Sequence, residues 1–136
     1  MKEQEVVDEL ARYGCITLVQ GRNGRAGIML RIVKDWNKLD AKVRARIKRG
    51  MTEWCEGRML PHTLYKSGGR YGQTKGGSTI AVFKSGQARL YGFERHLDGV
   101  RTFLVADCDP AKKQNEADPD LIARLKVRID AFGKEN

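Results

Sequence analysis

The stretch Thr79–Asp107, TIAVFKSGQARLYGFERHLDGVRTFLVAD, decides the fold class. It holds three runs rich in Ile, Val, Phe, Tyr and Leu, at Thr79–Lys84, Ala88–Glu94 and Val100–Asp107. Residues of these types suit a pleated, half-buried surface, so each run reads as a strand. Ser85-Gly86 and Asp98-Gly99 stand between the runs. The second pair is the stronger hairpin signal, because Asp-Gly tolerates the positive φ angles of a tight two-residue turn. Connections this short join antiparallel neighbours only, and the stretch therefore predicts a three-stranded antiparallel meander.

Working outward, Asp118-Pro119 supplies an N-cap and a first-turn proline for a terminal helix, whose apolar stripe is Leu121, Ile122, Leu125, Ile129 and Phe132, closed by Gly133. On the other side, Val43, Ile47, Met51 and Trp54 fall on one face of a helix running from Asp40 to about Glu56. Gly57 ends it, and Gly50 inside it costs on the order of 1 kcal/mol relative to Ala. Cys15–Val19 and Gly27–Val33 flank Gly21-Arg22-Asn23-Gly24 and read as a second hairpin. Val6, Val7, Leu10 and Tyr13, with Gly14 after them, predict a short amphipathic helix over 3–13. The expectation is an α+β fold: a small antiparallel sheet with helices packed mainly on one face, in a single domain over 1–136.

Charge is placed unevenly on this frame. Between Arg22 and Arg49 stand ten basic residues against two acids, a net +8 of the chain's +9. Such a field repels itself, and a polyanion, most often nucleic-acid phosphate, neutralises it. Arg44 and Lys48 on the basic helix are the candidate phosphate contacts there. The first 14 residues carry Lys2, Glu3, Glu5, Asp8 and Glu9 and no apolar run, which argues against a secretory signal. No apolar segment approaches the roughly 20 residues that span a bilayer, so no membrane partner and a cytoplasmic location are expected. Cys15, Cys55 and Cys108 are odd in number and widely spaced, the pattern of reduced thiols acting as small apolar groups.

Residues 66–78, KSGGRYGQTKGGS, hold five glycines and three basic residues and read as a loop. No register of it gives the glycine-lysine pattern of a phosphate-cradling P-loop, leaving Arg70 and Lys75 as individual phosphate contacts. His62 and His96 are far apart and sit in no metal-ligand or relay spacing. Asp107 and Asp109 lie two apart at a strand end; they read either as metal ligands or, beside Lys112 and Lys113, as ion-pair partners. Neither a metal nor a cofactor is expected. Chemistry on a phosphodiester would then rest on basic groups stabilising the transition-state charge.

Three segments carry a likeness: Ala88–Phe93 (ARLYGF), His96–Val105 (HLDGVRTFLV) and Pro110–Asn115 (PAKKQN). Together they resemble the RelE/HigB-like toxins of type II toxin-antitoxin systems. The resemblance covers residues 27–132, leaving 1–25 as an N-terminal extension. It implies a metal-independent, ribosome-dependent mRNA endonuclease with mRNA on the ribosome and a cognate antitoxin as partners. It assigns catalysis to Arg89, Lys112 and Lys113, and places Tyr91 and Arg101 on neighbouring strands as nucleic-acid contacts. The chain departs from the family pattern in the acidic run Gln114–Pro119, and it has no terminal Tyr or His after Phe132. Two alternatives stand beside this reading: a non-enzymatic basic nucleic-acid-binding module, of phage origin in one version, and a toxin relative that inhibits a topoisomerase by contact.

Overall fold

The computed structural model describes residues 8–68, 74, 78–110 and 119–132. The meander is present with slightly longer strands: β4 (Thr79–Ser85), β5 (Ala88–Leu97) and β6 (Val100–Asp109). Asp98 (φ 55°) and Gly99 (φ 77°) both take positive φ between the paired residues Leu97 and Val100, the geometry the Asp-Gly signal demands. Upstream come a 3₁₀ turn (Glu9–Tyr13), β1 (Cys15–Gly21), β2 (Gly24–Met29), helices α1 (Leu30–Lys38) and α2 (Ala41–Cys55), and a short β3 (Tyr65–Ser67); α3 (Pro119–Ala131) follows the meander.

The strands form one six-stranded sheet in the order β1-β2-β6-β5-β4-β3. Its one parallel pair is β2 with β6, in which Arg25 lies opposite Thr102 and Ile28 opposite Val105. The α+β class holds, and two details of the expectation are corrected. The sheet is mixed rather than antiparallel, because β2 docks beside β6 after the chain has passed through the helices. Helices also cover both faces. Across the β5/β6 ladder Glu94 faces Phe103 and Phe93 faces Leu104, and adjacent residues point to opposite sides, so Phe93 and Phe103 are on different faces. Trp54 of α2 packs on Phe103 (ring centroids 6.1 Å), whereas Phe132 at the end of α3 packs on Phe93 (5.3 Å).

On the α2 face, Trp54, Phe83, Phe103 and Tyr65 form an aromatic cluster, with Phe83 and Phe103 edge to face at 4.8 Å. Such ring pairs contribute about 0.5–1.5 kcal/mol beyond the area they bury. On the opposite face Leu10 fills the space above Gly27 that a Cβ would occupy. Asp8 caps the 3₁₀ turn, and this turn is all of the expected N-terminal helix that falls within the described residues. The second expected strand, Gly27–Val33, ends early at Met29, and Leu30 opens α1. Ile32 and Trp36 are four apart and both buried, so helical spacing overrides the β-branched bias of Ile32 and Val33.

Candidate nucleic-acid interface

Helix α2 begins where Asp40 accepts a hydrogen bond from the Lys42 amide (3.0 Å) and buries Ile47, Gly50, Met51, Trp54 and Cys55. The rest of its circumference carries Lys42, Arg46, Lys48 and Arg49, all exposed. Arg44 is half-buried and donates to the Asn37 carbonyl (3.0 Å), tying α2 to the end of α1. On α1 the exposed cations are Arg31, Lys34 and Lys38. Nearby acids do little to balance them. Asp40 is spent on the cap, and Glu53 pairs with Arg58 (2.6 Å). Among the described residues none of Lys34, Lys38, Lys42, Arg46, Lys48 or Arg49 has an ion-pair partner. Lys42, Arg46 and Arg49 follow one another at i+4 and i+3, a like-charge stripe that costs an isolated helix a few tenths of a kcal/mol per pair.

Not every cation counted in the sequence joins this surface. Arg25 is 2% exposed and holds together three elements, meeting Glu9 (2.9 Å), Asp98 (3.6 Å), the Leu97 carbonyl (3.1 Å) and the Thr102 hydroxyl (3.2 Å). Arg101 lies over the Trp54 ring (3.5 Å to the centroid) and donates to the Trp54 carbonyl at the end of α2 (2.7 Å). Its role there is packing and capping. Arg22 is exposed in the β1–β2 turn, which is pinned to the end of α2 through Asn23 N to the Cys55 carbonyl (2.8 Å), so the basic surface continues past the helix.

Of the residues expected to act on a phosphodiester, only Arg89 falls within the described residues. Arg89 is half-buried on β5, donating to the Gly86 (2.6 Å) and Ala88 (2.9 Å) carbonyls. It alternates onto the opposite sheet face from Arg101. Tyr91 is corrected from a binding residue to a core residue, since it is 1% exposed and cannot reach a ligand. Its strand is covered on both faces, and alternation alone could not reveal that. Lys112, Lys113, Arg70 and Lys75 lie outside the described residues. His62 and His96 are exposed.

Asp107 resolves toward ion pairing. It is buried at the sheet's end and meets Arg124 (3.1 Å) and Arg128 (3.5 Å), both from α3. Sequence reading missed these two arginines. Their i, i+4 spacing on α3 was the available signal. Among the described residues no three His, Cys, Asp or Glu side chains come together as a metal site would need. Burial pushes the Cys15 thiol up to about 12, Cys55 to about 11 and Cys108 to about 12, so all three are protonated at neutral pH and poor nucleophiles.

No protein-family model, curated protein or solved structure matches the chain. The site must therefore be read from its own chemistry. What the exposed faces of α1 and α2 offer is an array of guanidinium and ammonium groups. Such an array suits polyanions, whose charge would neutralise it. Among the described residues no helix is long and apolar enough to cross a membrane.

Proposed function

We propose that the chain binds nucleic acid through the exposed basic faces of α1 and α2. The observation that carries this reading is the run Lys34, Lys38, Lys42, Arg46, Lys48 and Arg49, exposed and without ion-pair partners among the described residues. Helix α2 has 15 residues and is roughly 22 Å long, enough to follow several phosphates. The test is fluorescence anisotropy with labelled duplex DNA and single-stranded RNA over a salt series. Affinity falls linearly in log-log form, by about 0.7–0.9 per phosphate neutralised. The triple substitution Lys42→Gln, Arg46→Gln, Arg49→Gln lowers that slope by about 2–3. Binding that ignores salt, or a triple variant that binds as the parent does, overturns the proposal.

A second reading keeps the toxin resemblance, in which the protein acts in the cytoplasm on mRNA held by the ribosome and is neutralised by a cognate antitoxin. One observation favours it. Arg89 is the ladder partner of Asp109, the last residue of β6, and Lys112 and Lys113 follow within four residues. Chain reach alone keeps both lysines within roughly 14 Å of Asp109. Induction in bacteria, with mapping of mRNA 5′ ends, decides it. New ends within translated frames that vanish in Lys112→Ala/Lys113→Ala support a nuclease, whereas intact mRNA leaves binding alone.

A further inference from the structure

Where the 3₁₀ turn, the start of α1 and the last turns of α3 meet, the surface folds into an open groove of about 710 Å3. That is within the range of sites that hold small organic ligands. No residue of α2 lines it, and of the basic surface described above it shares only Arg31.

The groove is polarised. At one end Arg31 of α1 faces Arg124 and Arg128 of α3. Asp107 pairs with Arg124 and Arg128 through one oxygen, and its other oxygen accepts from the Cys108 amide (2.8 Å), so its acceptor capacity is largely used. Asp35 stands one helical turn from Arg31 and makes no ion pair with it, and Arg31 has no ion-pair partner among the described residues. Burial pushes the Arg128 guanidinium below its ordinary range; Asp107 and, more weakly, Asp35 oppose that, and Arg31 and Arg124 add to it by like-charge repulsion. An arriving anion relieves this repulsion.

The other end is apolar. The stacked rings of Tyr13 and Phe132 (centroids 5.7 Å) close it, and Leu30 and Val127 flank the opening at 57% and 72% exposure. Large aliphatic side chains left this open beside a groove call for an apolar occupant. From Arg124 to Phe132 the α3 wall runs eight residues, about 12 Å, with Val127 and Ala131 between the charged and the aromatic end. A peptide would spread its acids along its length. A ligand with one head and one tail fits the separation better.

We propose that this groove binds a small single-headed amphiphilic anion, a carboxylate or phosphate on an apolar chain or ring. The head sits on Arg31 and Arg124, and the body lies along Leu30, Val127 and Ala131. Arg128, held to the Ala106 carbonyl (2.5 Å) and Asp107, fixes the position of the cationic end. The inference does not rest on nucleic-acid binding.

The experiment titrates 1-anilinonaphthalene-8-sulfonate, a sulfonate on apolar rings, into the intact chain and follows its fluorescence. A saturable enhancement is expected in protein that still melts cooperatively. Arg31→Glu and Val127→Glu each weaken it at least about tenfold, because a like charge opposes the sulfonate. Both side chains are exposed; Ala131→Glu replaces either variant if its melt is not cooperative. Decanoate and decyl phosphate compete, and the tighter of the two identifies the head. Decanol and inorganic phosphate do not compete at the same concentrations. Absence of enhancement, equal binding by the substituted chains, or displacement by decanol or phosphate alone overturns the assignment, the last two pointing to an apolar surface or a bare anion site.

Discussion

Asp8 fixes the start of the fold with one carboxylate. It accepts from the Leu10 amide (3.0 Å), the Thr17 amide (2.7 Å) and the Thr17 hydroxyl (2.8 Å), joining the 3₁₀ turn to β1. Burial works to raise its pKa, but these hydrogen bonds and the charge of Arg25 outweigh it and hold the carboxyl below its ordinary 3.8. A carboxyl depressed in the folded state stabilises the fold above its unfolded pKa, and that contribution is lost as pH falls through the folded value. Melting temperature should therefore drop between about pH 5 and about pH 2, and Asp8→Asn, which keeps an acceptor but cannot titrate, should drop less over the same window. Asp8→Ala loses the cap and costs about 1 kcal/mol at neutral pH. A denaturation series with the three proteins checks both; parallel pH profiles would remove Asp8 from the account. At this scale the sequence showed charge but not its direction. Arg25 counted toward the basic field and Arg89 and Arg101 were read as site residues, yet each is turned onto carbonyls, a ring or an ion pair, because facing depends on partners up to 77 residues away.

Among elements, strands were easier to read than their surroundings. The meander and its Asp-Gly turn were legible because turn chemistry and β-rich runs are local. Helix α2 was legible to within one residue because its cap and apolar stripe are local too. Two-sided burial left a signal that alternation-based reading passed over: Ile80–Phe83 and Phe103–Ala106 are unbroken apolar runs, and all eight residues are buried. The parallel β2/β6 pair left none, since nothing in either strand names a partner some 75 residues away. Glycine makes the same contrast testable. Gly50 was a weak point in the sequence reading of α2, but a Cβ there would meet the Phe83 ring at an ordinary 3.7 Å. Gly50→Ala should stabilise the protein by about 0.5–1 kcal/mol. Gly92 sits at the β5/β6 register shift, where a Cβ would collide with the Leu104 carbonyl and the Phe103 ring. Gly92→Ala should cost more than about 3 kcal/mol. Chemical denaturation of the two variants checks the pair, and equal effects would contradict the packing of α2 and β6 described above.

For the whole molecule, the governing fact is a net charge of +9 to which the exposed cations of α1 and α2 contribute a basic layer, while Arg25, Arg124 and Arg128 are engaged elsewhere. Repulsion within that layer opposes folding, and mobile ions screen it over about 10 Å at 0.1 M salt. The free protein should therefore melt higher as salt rises from dilute to a few tenths molar. A bound polyanion reverses the sign. Nucleic acid that binds only the folded chain stabilises it by about 2.7 kcal/mol at a hundredfold excess over Kd, on the order of 10 °C for a domain of this size. Salt weakens that binding through counterion release, so the complex should melt lower as salt rises. The two curves converge at high salt. Substituting Lys42, Arg46 and Arg49 by Gln flattens both, because the same three charges cause the repulsion in one state and the attraction in the other. Thermal melts of parent and variant, with and without a short duplex, read all four curves in one series. A free protein indifferent to salt would mean that the layer is neutralised by residues outside those described. A parent whose melt is unmoved by the duplex at low salt would leave the basic layer without its proposed partner, while the amphiphile groove, which shares none of the three substituted residues, would stand or fall on its own titration.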